Sequence, residues 1–202
     1  MNMIKHALAA AAALAAIQAH ALSTTVTAGP TSAEFGAVTI DFDSAPPAGW
    51  SYSGGALFTT SIGGITAVPP GATGNFWSIG PSGGQDGPGL VTLAGGASYY
   101  GFLWGSPDGY NSVSFYDGAT LLGSFTGAAV YPPANGDQSV GLFFNAFAGA
   151  GEKITRIEFG SSSNAFETDN HAVVAVPEPE TYALMLAGLG VLGFVARRRA
   201  QV

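Results

Sequence analysis

Two groups of acidic residues have the spacing and the ligand types that suit a hard metal cation. Asp41 and Asp43 are separated by one residue, a spacing that points both side chains to the same face of a β-strand. Glu167, Asp169 and Asn170 add oxygen ligands further along the chain. Because Ca²⁺ binds carboxylate and carbonyl oxygens, the pattern predicts a structural calcium site at Asp41, Asp43 and Asp169. The alternative is that these acids cap turns and strand ends.

The sequence patterns for a catalytic site are weaker than the pattern for a calcium site. Residues 80–84 read Gly-Pro-Ser-Gly-Gly and match G-x-S-x-G, but a nucleophile elbow needs a strand before it and a helix after it. Here Pro81 precedes the serine and a glycine- and proline-rich loop follows. His171 is the only histidine after residue 20, and nothing else indicates a triad. No sequence feature marks the raised pKa that a glycosidase acid needs, so no catalytic residue is predicted.

Three tryptophans, Trp50, Trp77 and Trp104, have flat rings that could stack on sugar rings. They motivate an alternative function, a carbohydrate-binding module, which ranks above a secreted hydrolase. The competing interpretation is that the three rings cover a hydrophobic core.

The elements that would position these residues are β-strands. Apolar and alternating runs separated by turn residues predict ten of them, and no interior window has a capped helical period. The predicted strands are 35–42, 56–61, 76–79, 90–93, 98–104, 111–116, 120–125, 140–145, 154–159 and 172–176. The less regular region 44–89 is expected to form long loops. Thirty glycines and twelve prolines punctuate the turns.

Ten short strands in one stretch of chain predict an all-β fold, an antiparallel β-sandwich of the jelly-roll type spanning residues 22–175. In a jelly roll the first and last strands often lie side by side, which would bring Asp41 and Asp43 close to Asp169. The sequence of residues 22–175 therefore predicts both the fold class and the position of the cation site.

The charge and the cysteine content exclude several classes of protein. Residues 22–175 hold eleven acids and two bases, Lys153 and Arg156, for a balance of −9. Such a surface repels phosphate backbones, so no nucleic-acid partner is expected. The chain has no cysteine, which rules out thiol catalysis and zinc–thiolate sites.

Both ends of the chain have the pattern of export signals. Residues 1–21 combine Lys5, a short apolar run and an A-x-A cleavage site at Ala19 and Ala21, as in a secretory signal peptide. Residues 176–202 contain, in order, Pro177-Glu178-Pro179, an uncharged apolar run at 182–196 and an arginine cluster. The cluster is Arg197, Arg198 and Arg199.

The apolar run predicts a short transmembrane helix whose arginine end is cytoplasmic. A plain membrane anchor is one interpretation of this tail. The order of its three parts also resembles the PEP-CTERM sorting signal. That resemblance implies an exosortase as partner, export through the inner membrane, transient anchoring by the tail and cleavage near the Pro-Glu-Pro. It further implies delivery to the cell surface or extracellular matrix, in bacteria that make exopolysaccharide.

A second resemblance covers residues 99–173. The runs YGFLWGSPD at 100–108, YNSVSFYDG at 110–118 and SSNAFETDN at 162–170 are similar to a subfamily of exosortase-dependent surface proteins. The subfamily offers no catalytic residues to carry over. We therefore expect a surface or biofilm-matrix protein without catalytic activity, with exopolysaccharide as a candidate partner.

Overall fold

The computed structural model describes residues 22–176, 184–189, 192 and 197. Its strands pair antiparallel throughout, so the predicted all-β class is confirmed for this part of the chain. In chain order the elements are β1 (Ser23–Thr27), β2 (Val38–Ile40), β3 (Trp50–Ser53), β4 (Ala56–Phe58), β5 (Phe76–Ile79), β6 (Gly89–Gly105), β7 (Asn111–Asp117), β8 (Thr120–Thr126), α1 (Gly127–Val130), β9 (Gly141–Phe147), β10 (Ile154–Ser161) and β11 (Phe166–Ala175).

The 17-residue strand β6 organises the sheet. The sequence predicts two strands here, but the chain continues through Gly95 and Gly96, whose φ angles of 82° and 78° suit glycine. The first half of β6 pairs with β3 and β10, and the second half pairs with β9 and β11. All eleven strands of the described region are thereby linked into one sheet, where separate sheets were expected.

The main hydrophobic core contains side chains from both halves of β6 and from the strands that surround it. The ring of Phe102 in β6 meets Phe159 of β10 edge-on, with centroids 5.0 Å apart. Phe115 of β7 stacks on Phe144 of β9 at 6.0 Å. The core is therefore built by aromatic side chains from strands that are distant in the sequence. A smaller cluster of Tyr99, Leu103, Phe143 and Ala172 fills the other face of β6.

The predicted strand 35–42 is too long. Only Val38–Ile40 forms β2, Phe35 is 96% exposed, and Phe42 has a φ of 58° that interrupts an extended strand. Asp41 therefore follows the end of β2 and Asp43 lies in a bend, so the two do not alternate on a strand. The sequence does not predict β1, β3 or the first half of β11. These segments contain many polar residues, so they lack the alternation of apolar and polar residues that is typical of a half-buried strand.

The tail is described only in part. Residues 184–189, 192 and 197 are helical and exposed, which agrees with the predicted helix where the two overlap. Within the described ranges, no helix has the length and apolar character needed to cross a membrane. The predicted signal peptide, residues 1–21, lies outside the described residues.

Candidate functional site

Strand β11 carries three titratable side chains into the protein interior. Glu167 is 3% exposed, Asp169 is 0% exposed and His171 is 2% exposed. A register irregularity at Asn170, whose φ is 49°, breaks the alternation of the strand. His171 consequently packs among the aromatic rings of the main core, including Phe42 at 4.9 Å and Phe159 at 5.4 Å.

Glu167 holds the long connection between β4 and β5 against the sheet. Its Oε1 accepts a 2.8 Å hydrogen bond from the backbone N–H of Ala67, and its Oε2 accepts one of 3.3 Å from the hydroxyl of Ser106. Burial raises the pKa of Glu167 to about 7, although these hydrogen bonds oppose the rise. The charge of Asp108 adds to the rise.

Asp169 has a similar environment. Its Oδ1 accepts a 2.7 Å hydrogen bond from the backbone N–H of Asn170, while its Oδ2 is buried without a hydrogen-bond partner among the described residues. Burial raises the pKa of Asp169 to about 7, and the charges of Asp41 and Asp43 contribute. Pairing of Ile40 with His171 brings the two acidic stretches together, as predicted.

This proximity does not amount to an assembled metal centre. Among residues 22–176 and the described tail positions, no group of three or more His, Cys, Asp or Glu side chains could hold a metal ion. Asp43 instead accepts hydrogen bonds from the backbone and side-chain nitrogens of Asn75, both at 2.8 Å. Asp41 accepts one from the backbone of Asp43. The calcium site at Asp41, Asp43 and Asp169 stays a prediction.

His171 is enclosed and bonded to two hydroxyl groups. Its Nδ1 lies 2.5 Å from Tyr100 Oη, and its Nε2 lies 2.9 Å from Thr168 Oγ1. Burial lowers its pKa to about 3, so the ring is neutral at physiological pH.

The serine of the G-x-S-x-G match, Ser82, does not pair with this histidine. Its hydroxyl accepts a hydrogen bond from Asn164. These contacts give Ser82 and His171 different partners.

The predicted sugar-stacking platform is wrong for two of its three tryptophans. Trp77 is 1% exposed and Trp104 is 0% exposed, because both rings belong to the main core. Trp104 stacks on Phe166 with centroids 4.4 Å apart, and Trp77 donates its indole N–H to the carbonyl of Gly54. Trp50 in β3 is half-buried and packs against the same core. Trp77 and Trp104 are therefore core residues and are not accessible to a sugar.

A polar pocket of ≈ 130 Å³ has Glu167 in its wall, together with Thr66, Gln138, Asn164 and the turn at residues 61–65. Its shape is fixed by hydrogen bonds. Asn164 donates to the carbonyl of Gly64 at 2.9 Å, and Gln85 donates to the carbonyl of Ile65 at 2.8 Å. The sequence pattern marks Glu167 only as an additional oxygen ligand near the expected calcium site, and it does not mark Gln138. Only the pairing of β11 with β5 and β6 brings these distant segments together.

The two ends of the β-domain emerge at the same end of the sheet. Ser23 pairs with Phe147, Phe147 pairs with Tyr99, and the neighbouring Ala97 pairs with Ala175. The backbone N–H of Val176 donates to the carbonyl of Gly96 at 3.1 Å. Strand β1 begins two residues after the predicted cleavage residue Ala21.

Most of the predicted processing residues cannot be placed. Ala19, Ala21, Pro177, Glu178, Pro179, Arg198 and Arg199 lie outside the described residues, and Arg197 is helical and exposed. The β-domain thus ends in the paired strand β11, where the segment with the predicted sorting signal begins.

Beyond the β-domain, the described residues 184–189, 192 and 197 are helical. A family model of the PEP-CTERM protein-sorting motif matches residues 175–199. The chain carries this motif, which confirms the resemblance of the tail to the PEP-CTERM sorting signal and implies exosortase-mediated processing and export to the cell envelope or surface. Neither a curated protein nor a solved structure matches the chain.

Proposed function

We propose that the protein is a non-catalytic β-domain that an exosortase delivers to the bacterial cell surface or extracellular matrix. The observation that carries this proposal is the position of the motif. It begins at Ala175, the last residue of β11, so the folded domain and the sorting signal share a residue. Before processing, the tail would hold the domain at the inner membrane, and exopolysaccharide would be its neighbour after release.

The common position of the two chain ends supports this orientation. If the signal peptide and the tail both engage the membrane during export, the domain is attached to the membrane at one end of its sheet. Its opposite end then faces away from the membrane. The partners of His171 and Ser82 also favour a role without catalysis, because a buried neutral imidazole is poorly placed to activate an exposed hydroxyl.

The test is processing in a host with and without its exosortase. We expect the C-terminal tail to be removed only when the exosortase is present, as measured by the intact mass of the protein. Identical masses in the two hosts would overturn the proposal.

The variant Glu178→Ala should reduce processing, because it removes the acidic residue of the Pro-Glu-Pro signal. A matched control is Glu34→Ala, which removes one exposed acid from the β-domain. Glu34→Ala should be processed normally, and an equal loss in both variants would point to impaired export rather than to signal recognition.

A further inference from the structure

The Glu167 pocket lies at the end of the sheet remote from both chain ends. Glu167 pairs with Gly105 at the end of β6, whereas Ala175 pairs with Ala97. Eight residues of β11 separate the two positions, which is about 26 Å at the rise of an extended strand. A domain held by its termini would therefore present this pocket outward.

The electrostatic environment of the pocket favours a cation. Glu167 is the one charged residue among the described residues that line it, and Asp108 is close enough for its charge to act on Glu167. The two bases of the β-domain lie toward the other end, since Lys153 packs beside Gly96 and Arg156 pairs with Tyr116 near the β7–β8 turn. A desolvated carboxyl group is stabilised in its charged form by a nearby opposite charge.

The size and the polar groups of the pocket restrict the ligand. Its ≈ 130 Å³ correspond to about four water molecules at liquid density, enough for a charged group and the carbons beside it. Gln138 is exposed at the wall and offers an amide, and Asn164 also lines the pocket. These groups suit hydrogen-bond donors and hydroxyls on a small ring.

We propose that this pocket binds an ammonium group carried on a small polar ring, as in an unacetylated amino sugar. Glu167 would accept a charge-assisted hydrogen bond from the ammonium group, and Gln138 would bond a neighbouring hydroxyl. This inference rests on the proposed function only in that display at the cell surface turns the pocket outward. Binding itself is independent of sorting.

The probes are glucosamine, glucose and N-acetylglucosamine, titrated at pH 7 into the full chain in mild detergent and followed by NMR. The three sugars differ at one ring position, which carries an ammonium, a hydroxyl or a neutral amide. We expect glucosamine to bind about tenfold more tightly than either neutral sugar, because a charge-assisted bond is lost in the other two. Equal affinity for the three sugars, or no binding of any, would overturn the proposal.

Two variants locate the site. Glu167→Gln keeps the shape of the side chain and should remove the preference for glucosamine. Gln138→Ala changes an exposed residue, so the fold should persist while glucosamine affinity falls about threefold. Exposed Glu34→Gln should bind as the parent chain does. Unchanged glucosamine binding in both pocket variants would place the ligand elsewhere and refute the assignment, whether or not the tail is processed in the sorting experiment.

Discussion

The free energy of unfolding should fall by about 3 kcal/mol as the pH rises from about 4.5 to 6.5, and fall further up to about pH 7.5. Most acidic proteins lose stability in the opposite direction, when their paired carboxylates become protonated. The reversal is expected here because burial raises the pKa of Glu167 from 4.5 to about 7 and that of Asp169 from 3.8 to about 7. Urea denaturation of the chain at intervals of one pH unit measures the effect.

The sign follows from the protons that each state binds. Between about pH 4.5 and 6.5 the two buried carboxyl groups hold protons in the folded chain and lose them on unfolding, so their stabilisation is lost as the pH rises. His171 acts in the opposite direction, because its pKa falls from 6.5 to about 3 on folding and the unfolded chain binds the extra proton. One net proton over two pH units, at about 1.4 kcal/mol per unit, gives about 3 kcal/mol.

Two variants separate these contributions. In Glu167→Gln one carboxyl group remains against His171, so the profile should be nearly flat between pH 4.5 and 6.5. Asp137→Asn is the control, because Asp137 is exposed and hydrogen bonds from Ser139 lower its pKa, which places its titration below this window. A parent protein whose stability rises with pH across the window would contradict the buried, protonated state of Glu167 and Asp169.

Replacing Phe102 by alanine should destabilise the domain by about 3–5 kcal/mol, the usual range for removing a fully buried phenylalanine. Phe102 is 0% exposed and lies at the centre of the aromatic core, with ring centroids of Phe159 at 5.0 Å and Phe144 at 5.5 Å. Domains of this kind are commonly stable by 5–15 kcal/mol, so the loss would be a large part of the total. The shift of the denaturation midpoint reports it.

The matched control is Phe35→Ala. This phenylalanine is 96% exposed, and its removal should change stability by less than about 0.5 kcal/mol. Because both variants make the same chemical change, their difference measures burial alone. Similar midpoints for the two variants would show that Phe102 does not occupy a packed core.

Local pattern in the sequence was sufficient for the fold class and for the sorting signal. Val113 and Phe115 alternate with polar residues in β7, and Asp117-Gly118 marks the turn into β8, because side-chain period and turn chemistry depend only on neighbouring residues. The motif at residues 175–199 is equally local, since its parts follow one another in a single short segment.

The environments of individual side chains were decided only by the tertiary structure. Trp104 could stack on a sugar or on Phe166, and its burial depends on strands far apart in the chain. The raised pKa of Glu167 likewise requires the segment around Ala67, one hundred residues away, to close over β11. Burial and desolvation arise from such long-range packing, and a linear pattern of residue types does not contain them.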